Sequence, residues 1–307
     1  VANAYRRDLL ALALRVDQED AERIVLPRVV GPHEAAARGG GDVDGRDLSH
    51  LVLGPGCGDN AGAALGLGLR AGQTSVSLGT SGVVAAVSAA PSRDASGLVA
   101  GFADATGVFL PLACTLNGAR VLDAAKRVLD VTYDEFDALA LSAEPGAGGL
   151  VHVPYLEGER TPNLPEATGV LTGMTLESLT PANYARSAVE GLLCLMSACV
   201  DAVRAQGAAI DRVSLVGGGV KWTSAKELSP AVLGVPVDVP SPGEYVANGA
   251  AKQAAWVLAG GEEPPAWELG PVEQLVAEFQ PDIRAAYDRV SEIVAAAVRV
   301  RPAASAR

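Results

Sequence analysis

The sequence predicts an α/β fold with ligands held where strands turn into helices. Three observations predict it. Short β-type runs alternate with helical segments over the 307 residues. Glycine-rich turns stand at the ends of those runs, at 54–58, 79–82 and 217–219. Hydrophobic residues make up 49% of the chain but aromatics only 4%, so the core must be Ala, Val and Leu, which suits close-packed helices and buried strands. At roughly 100–200 residues per domain, the length predicts two domains.

The elements follow in order. Leu9, Leu10, Leu12 and Leu14 give an apolar side to one helix over about 7–20. Residues 31–50 are polar and glycine-rich and read as a loop. A short strand, His50 to Leu53, runs into glycines and then a small-residue helix over 60–69. Thr74–Leu78 and Val83–Val87 flank the turn Gly79-Thr80-Ser81-Gly82, a β-hairpin pattern. A strand over 109–113 and a helix over 117–129 come next, then a glycine- and proline-rich stretch over 144–165 with the apolar run 150–153 inside it. Pro181 opens the longest helix, to Gln206, at the position where proline is best tolerated. A strand over 212–216 ends in Gly217-Gly218-Gly219, a strand over 235–239 follows, and helices are expected over 246–258 and 281–300.

Charge and composition exclude several functions. The formal net charge of −12 is unsuited to nucleic acid, whose binding rests on Lys and Arg neutralising phosphates. Cys57, Cys114, Cys194 and Cys199 show no CxxC spacing, and His33, His50 and His152 are scattered, so no zinc or dithiol site is expected. Cys194 and Cys199 read as core. No apolar stretch reaches the length of a membrane helix, and the first residues carry Arg6 and Arg7 without a cleavage pattern, so the expected location is the cytoplasm. A dinucleotide site is excluded: 54–59 fails GxGxxG because Asp59 takes the last glycine position, and Gly66–Ala71 fits GxGxxA only at a helix end.

Three places could carry chemistry. The Gly79–Gly82 turn can present N–H groups and the Thr80 and Ser81 hydroxyls to phosphate oxygens, or be a plain hairpin turn. Gly217–Gly219 allow a ligand close to the backbone, or serve a turn needing positive φ. Asp59 either caps the following helix or acts as a general base towards a substrate hydroxyl; one oxygen cannot do both well.

GCGDNAGAALGLG, SVSLGTSG, VPYLEGERTP, SLVGGG and EYVANGAAKQAAW occur in the order found in the FGGY family of sugar kinases, of the actin-like ATPase (ribonuclease H-like) superfamily. The resemblance covers about residues 5–290 and is strongest to the xylulokinases. It implies ATP-dependent phosphorylation of a ketopentose such as D-xylulose, with Mg²⁺. Asp59 matches the family's catalytic base and so meets the sugar hydroxyl. Thr80, with Gly79 and Ser81 in its turn, matches the contact to the ATP phosphates. Asn117 lies where a helix approaches the nucleotide, Gly218 and Gly219 match glycines at the adenosine, and Asn248 sits on the adjacent helix. Glu159 and Arg160 shape the cleft. The resemblance divides the chain into the end of a sugar-binding first domain, 1–70, a nucleotide-binding second domain, 71–265, and a helical segment, 266–307.

Two departures follow. No segment resembles the family's DxGT hairpin, so a first-domain segment or self-association is the expected partner, and a nucleotide-binding piece inactive alone is the second expectation. After the triple glycine the run VKWTSAKELSPAVLG shifts a tryptophan to Trp222 and places Pro230 where it should interrupt a helix, altering the adenosine side.

Overall fold

The computed structural model describes residues 4–300. Two helices, α1 (Arg7–Leu14) and α2 (Gln18–Arg23), replace the single expected one. Arg15 adopts left-handed backbone, φ 57°, and Asp17 begins α2 by accepting from the Asp20 N–H at 2.8 Å. An N-cap carboxylate thus outweighs a weak apolar repeat. The 31–50 stretch is not wholly loop: it contains β1 (Ala37–Arg38), β2 (Asp42–Val43) and β3 (Arg46–Asp47), and β1 pairs with β4 (Val52–Leu53). Then comes α3 (Asp59–Leu67).

A seven-stranded sheet organises the rest. Its first four members are β5 (Gly72–Leu78), β6 (Gly82–Ala86), β7 (Ala100–Ala103) and β8 (Phe109–Cys114), and three more follow later in the chain. Between them lie α4 (Arg120–Leu129), α5 (Tyr133–Ser142), the small antiparallel pair β9 (Val151–Val153) and β10 (Val170–Thr172), and α6 (Pro181–Ala205). The closing run is β11 (Ile210–Val216), α7 (Thr223–Leu233), β12 (Val237–Pro240), α8 (Tyr245–Ala259), β13 (Val272–Leu275) and α9 (Pro281–Val300). Strand order is β13-β12-β11-β5-β6-β8-β7. β11 runs parallel to both β12 and β5, and the remaining pairings are antiparallel.

Helices cover both faces. α6 is buried along most of its length, with Ala188, Leu192, Leu195 and Met196 wholly shielded beneath one face. Thr180 caps it by accepting from the Asn183 N–H. On the other face α3 lays Ala61, Ala64 and Leu65 against Ala85, Val87, Leu110 and Leu112. α8 crosses α3 at glycines: a Cβ on Gly249 would lie 1.8 Å from the Gly62 carbonyl oxygen, and one on Gly66 would lie 2.0 Å from that of Tyr245. The GxGxxA run at 66–71 is therefore a packing surface plus a left-handed C-cap at Gly68, φ 68°.

Expected boundaries meet this packing as follows. The 70/71 boundary falls between α3 and the sheet that α3 covers. In the 266–307 segment, β13 pairs with β12 and α9 packs towards the α6 face; residues 301–307, and 1–3 of the first segment, lie outside the described residues.

Pro230 does not interrupt α7. The proline removes the N–H that would reach the Lys226 carbonyl, and the Ser229 hydroxyl donates to that oxygen instead at 2.7 Å. Cys194 and Cys199 are buried in α6, and burial pushes both thiols far up. Among the described residues no helix is long and apolar enough to cross a membrane.

Candidate functional site

β5 and β11 are parallel neighbours, so their C-terminal ends lie side by side. β5 leads into Gly79–Gly82 and β11 into Gly217–Gly219, and the two turns face one another. Gly79, Thr80, Gly218 and Gly219 line one cavity of about 680 Å³.

Glycine is required at particular points of this wall. Gly217 has φ 91°, and a Cβ there would sit 2.7 Å from the Leu78 carbonyl oxygen. A Cβ on Gly219 would lie 2.5 Å from that of the fully buried Leu78. A Cβ on Gly118 would strike the Gly79 carbonyl oxygen at 2.5 Å. Gly218 is different: nothing lies within 4 Å of its would-be Cβ, which points into open space.

The 79–82 turn is held from behind. The Ala119 N–H donates to the Gly79 carbonyl at 2.8 Å, and the Gly82 N–H donates to the Thr115 hydroxyl at 2.9 Å. Arg120 Nε donates to the Thr80 carbonyl at 3.2 Å while its guanidinium forks onto Glu157 at 2.8 and 3.1 Å. The tip is left open. Among the described residues the N–H groups and hydroxyls of Thr80 and Ser81 donate to nothing in the protein, and both residues are exposed. Of the turn's N–H groups, Gly79 donates to the Ser81 carbonyl and Gly82 to Thr115, which leaves those of Thr80 and Ser81 open to an anion.

Of the far wall, the sequence marked only the shifted Trp222. That wall consists of Tyr133, Lys221 and Trp222. Trp222 is buried with its ring 4.7 Å from that of Tyr133 and edge-on to Phe136 at 5.1 Å. Asp137, from α5, accepts the Thr223 and Ser224 N–H groups at 2.8 and 3.0 Å and so caps α7. The shifted tryptophan is thus a wall residue, fixed in place by a cap supplied from another helix. For Tyr133 the available sequence signal was the Thr132-x-x-Glu135 capping box that starts α5.

Other expected residues stand elsewhere. Asn117 is buried, and its amide is spent on the 155–162 loop: Nδ2 donates to the Gly158 carbonyl and Glu159 Oε2 at 2.7 and 2.9 Å, and Oδ1 accepts from the Leu156 N–H. Its side chain braces the loop rather than facing the 680 Å³ cavity. Glu159 is 1% exposed and accepts at Oε1 from the Leu116 and Arg160 N–H groups, both at 2.7 Å. Ser81 and the exposed Asn248 lie outside that cavity's lining.

Asp59 occupies the first turn of α3, but the N-cap is Gly58. The carboxylate is exposed; Oδ1 accepts from the Asn60 N–H and side chain at 2.8 and 3.1 Å, and Oδ2 accepts nothing among the described residues. Four residues join α3 to β5.

Comparison with known proteins identifies the family. Residues 74–258 match the C-terminal domain of the FGGY family of carbohydrate kinases. The chain is 40% identical over 262 residues to the xylulose kinase of Streptomyces rubiginosus, covering 82% of the chain and 52% of the relative. It is 41% identical over 264 residues to that of Streptomyces coelicolor, covering 84% and 50%. The crystal structure of xylulose kinase from Bifidobacterium adolescentis superposes with a TM-score of 0.86 at 48% identity, covering 94% of this chain and 58% of that one. The chain thus spans about half the length of the curated relatives it matches. It has the actin-like ATPase fold and belongs to the FGGY family of carbohydrate kinases.

Proposed function

We propose that this chain is the nucleotide-binding half of an ATP-dependent ketopentose kinase acting on D-xylulose or a near relative. One observation carries the reading: two glycine turns on adjacent parallel strands face a single cavity, and one of them keeps the Thr80 and Ser81 N–H donors unspent. Phosphate oxygens lie on the Thr80–Ser81 turn. The adenosine lies along Gly218 and Gly219, towards the Tyr133–Trp222 wall. Asn248, exposed on α8, has an indirect part.

In the reaction the γ-phosphoryl group passes in line to a sugar hydroxyl, which positioning and charge stabilisation accelerate more than covalent chemistry does. Asp59 Oδ2 takes the hydroxyl proton as the oxygen attacks. Because Gly58 rather than Asp59 caps α3, the carboxylate is free for that role. Mg²⁺ prefers near-octahedral oxygen ligands, with few from the protein and the rest from phosphate and water. Among the described residues no group of three or more acidic, His or Cys side chains is gathered to hold a metal. These residues alone do not form a magnesium cage.

The domain division at 70/71 and 265/266 belongs to this reading, as does a first-domain segment, or a second copy, as partner. ATP as donor places the reaction in the cytoplasm. The chain by itself binds nucleotide without turning over sugar. Calorimetric titration with Mg·ATP and Mg·ADP tests the first part, and absence of heat at millimolar nucleotide would contradict it. A coupled ADP-release assay with D-xylulose, on the chain alone and mixed with a first-domain FGGY segment, tests the second; turnover by the chain alone at about 1–100 per second would refute it.

A further inference from the structure

Each of the two open N–H groups, on Thr80 and Ser81, is aimed by the other end of its own peptide unit. A trans peptide sets C=O and N–H on opposite sides of one rigid plane, so a bond to the carbonyl fixes where the N–H points. The Thr80 N–H shares its plane with the Gly79 carbonyl, which accepts from the Ala119 N–H at 2.8 Å. That aim is set by backbone. The Ser81 N–H shares its plane with the Thr80 carbonyl, whose one partner among the described residues is Arg120 Nε, at 3.2 Å. That aim is set by a side chain.

Arg120 is itself held. Its guanidinium forks onto Glu157 Oε1 and Oε2 at 3.1 and 2.8 Å, and Nη2 also donates to the Leu116 carbonyl at 3.1 Å. One planar group thereby joins the 79–82 turn, the connection after β8 and the 155–162 loop. Lysine, a point charge on a flexible stem, cannot make this fork. Stability does not account for the pair: its side chains are 43% and 62% exposed, and ion pairs so open to water contribute little. Arg120 lines the 680 Å³ cavity and Glu157 does not. By charge alone a carboxylate close to a phosphate site is unfavourable, so Glu157 calls for a different use.

We propose that Arg120 is a positioning residue for the nucleotide phosphates and that Glu157 holds it in place. The bond to the Thr80 carbonyl turns the Ser81 N–H towards a phosphate oxygen. The guanidinium charge also polarises that peptide, which strengthens the N–H as a donor. This inference rests on the nucleotide reading of the cavity.

The test is calorimetric titration of the purified chain and its variants with Mg·ADP and Mg·ATP, with melting curves beside it. Arg120→Met should weaken binding by about tenfold or more, through loss of an oriented donor to a charged ligand. Arg120→Lys keeps the charge, loses the fork and should weaken binding nearly as much. Glu157→Gln separates geometry from charge. Were Arg120 only a charge, removing the nearby carboxylate would tighten binding of the anionic nucleotide; the expected result is binding weaker by about threefold. Combining Arg120→Met with Glu157→Gln should weaken binding no further than Arg120→Met alone, because the two residues act as one device. All variants should melt within about 2 °C of the unsubstituted chain. Full affinity in Arg120→Lys, or equal or tighter binding in Glu157→Gln, overturns the proposal and leaves the nucleotide reading standing. Absence of heat from the unsubstituted chain contradicts that reading and this inference with it.

Discussion

Adjacent glycines at the end of β11 should respond oppositely to the same substitution. In Gly219→Ala the added methyl must occupy space 2.5 Å from the Leu78 Cβ, 2.9 Å from the Leu78 carbonyl oxygen and 3.3 Å from the Ala119 Cβ. Leu78 is wholly buried at the end of β5, so it cannot swing aside. The 218–221 turn has to lift off the strand, with an overpacking cost of about 1–3 kcal/mol. For a chain of this size each kcal/mol lowers the melting temperature by about 2–4 °C, so a fall of roughly 2–12 °C is expected. In Gly218→Ala the methyl meets nothing within 4 Å and enters the cavity. Melting should stay within about 1 °C, while Mg·ATP affinity, read by calorimetry, should fall by about tenfold. A Gly219→Ala chain that melts with the unsubstituted one, or a Gly218→Ala chain that binds nucleotide equally well, would refute the reasoning for that position.

Other substitutions separate chemistry from architecture. Asp59→Asn, in the chain reconstituted with a first-domain segment, should cut turnover by about a hundred- to ten-thousand-fold with no change in melting, because Gly58 is the cap; retained turnover would remove Asp59 as the base. Glu159→Ala strands the Leu116 and Arg160 N–H groups and the Asn117 amide, and should cost about 3 kcal/mol or more by chemical denaturation. His152 is held at about 4, against an ordinary 6.5, by burial. The unfolded chain then binds a proton that the folded one refuses, so this stability is full above about pH 6.5 and is lost as pH falls towards 4, by up to about 3 kcal/mol. Melting curves across that range should flatten in His152→Leu. Ser229→Ala leaves the Lys226 carbonyl unmatched beside Pro230 and should lower stability by about 1 kcal/mol.

Much of the fold was legible because local signals agreed with it. Alternation of β-branched runs around Gly79–Gly82 predicted the β5–β6 hairpin, and Leu78 does stand opposite Gly82. Pro181 and the long apolar run predicted α6 almost to the residue. What was missed lacked such signals. β7, β10 and β13 are three- or four-residue strands whose β state comes only from hydrogen bonding to a neighbour. Residues 7–20 look like one amphipathic helix until the Asp17 cap and the left-handed Arg15 divide them.

The candidate site divides along the same line. Residue type and order alone marked Gly79, Thr80, Gly218 and Gly219, because a backbone that must approach phosphate needs glycine wherever its partners are. Which glycine supports the wall and which faces the ligand was decided by tertiary structure: Gly219 lies against Leu78, 141 positions away in sequence numbering, and Gly218 does not. Contacts of that kind also turned Asn117 inward and made Trp222 a cavity wall through the Asp137 cap, whereas α7 stays intact across Pro230 through the local bond from Ser229 to the Lys226 carbonyl. The sequence determined the turns, the family pattern and the segments able to become helix or strand, since these depend on neighbours along the chain. Only folding decided which side chains spend their hydrogen bonds inside the protein and which keep them for a ligand, because that depends on partners that sequence order does not place together.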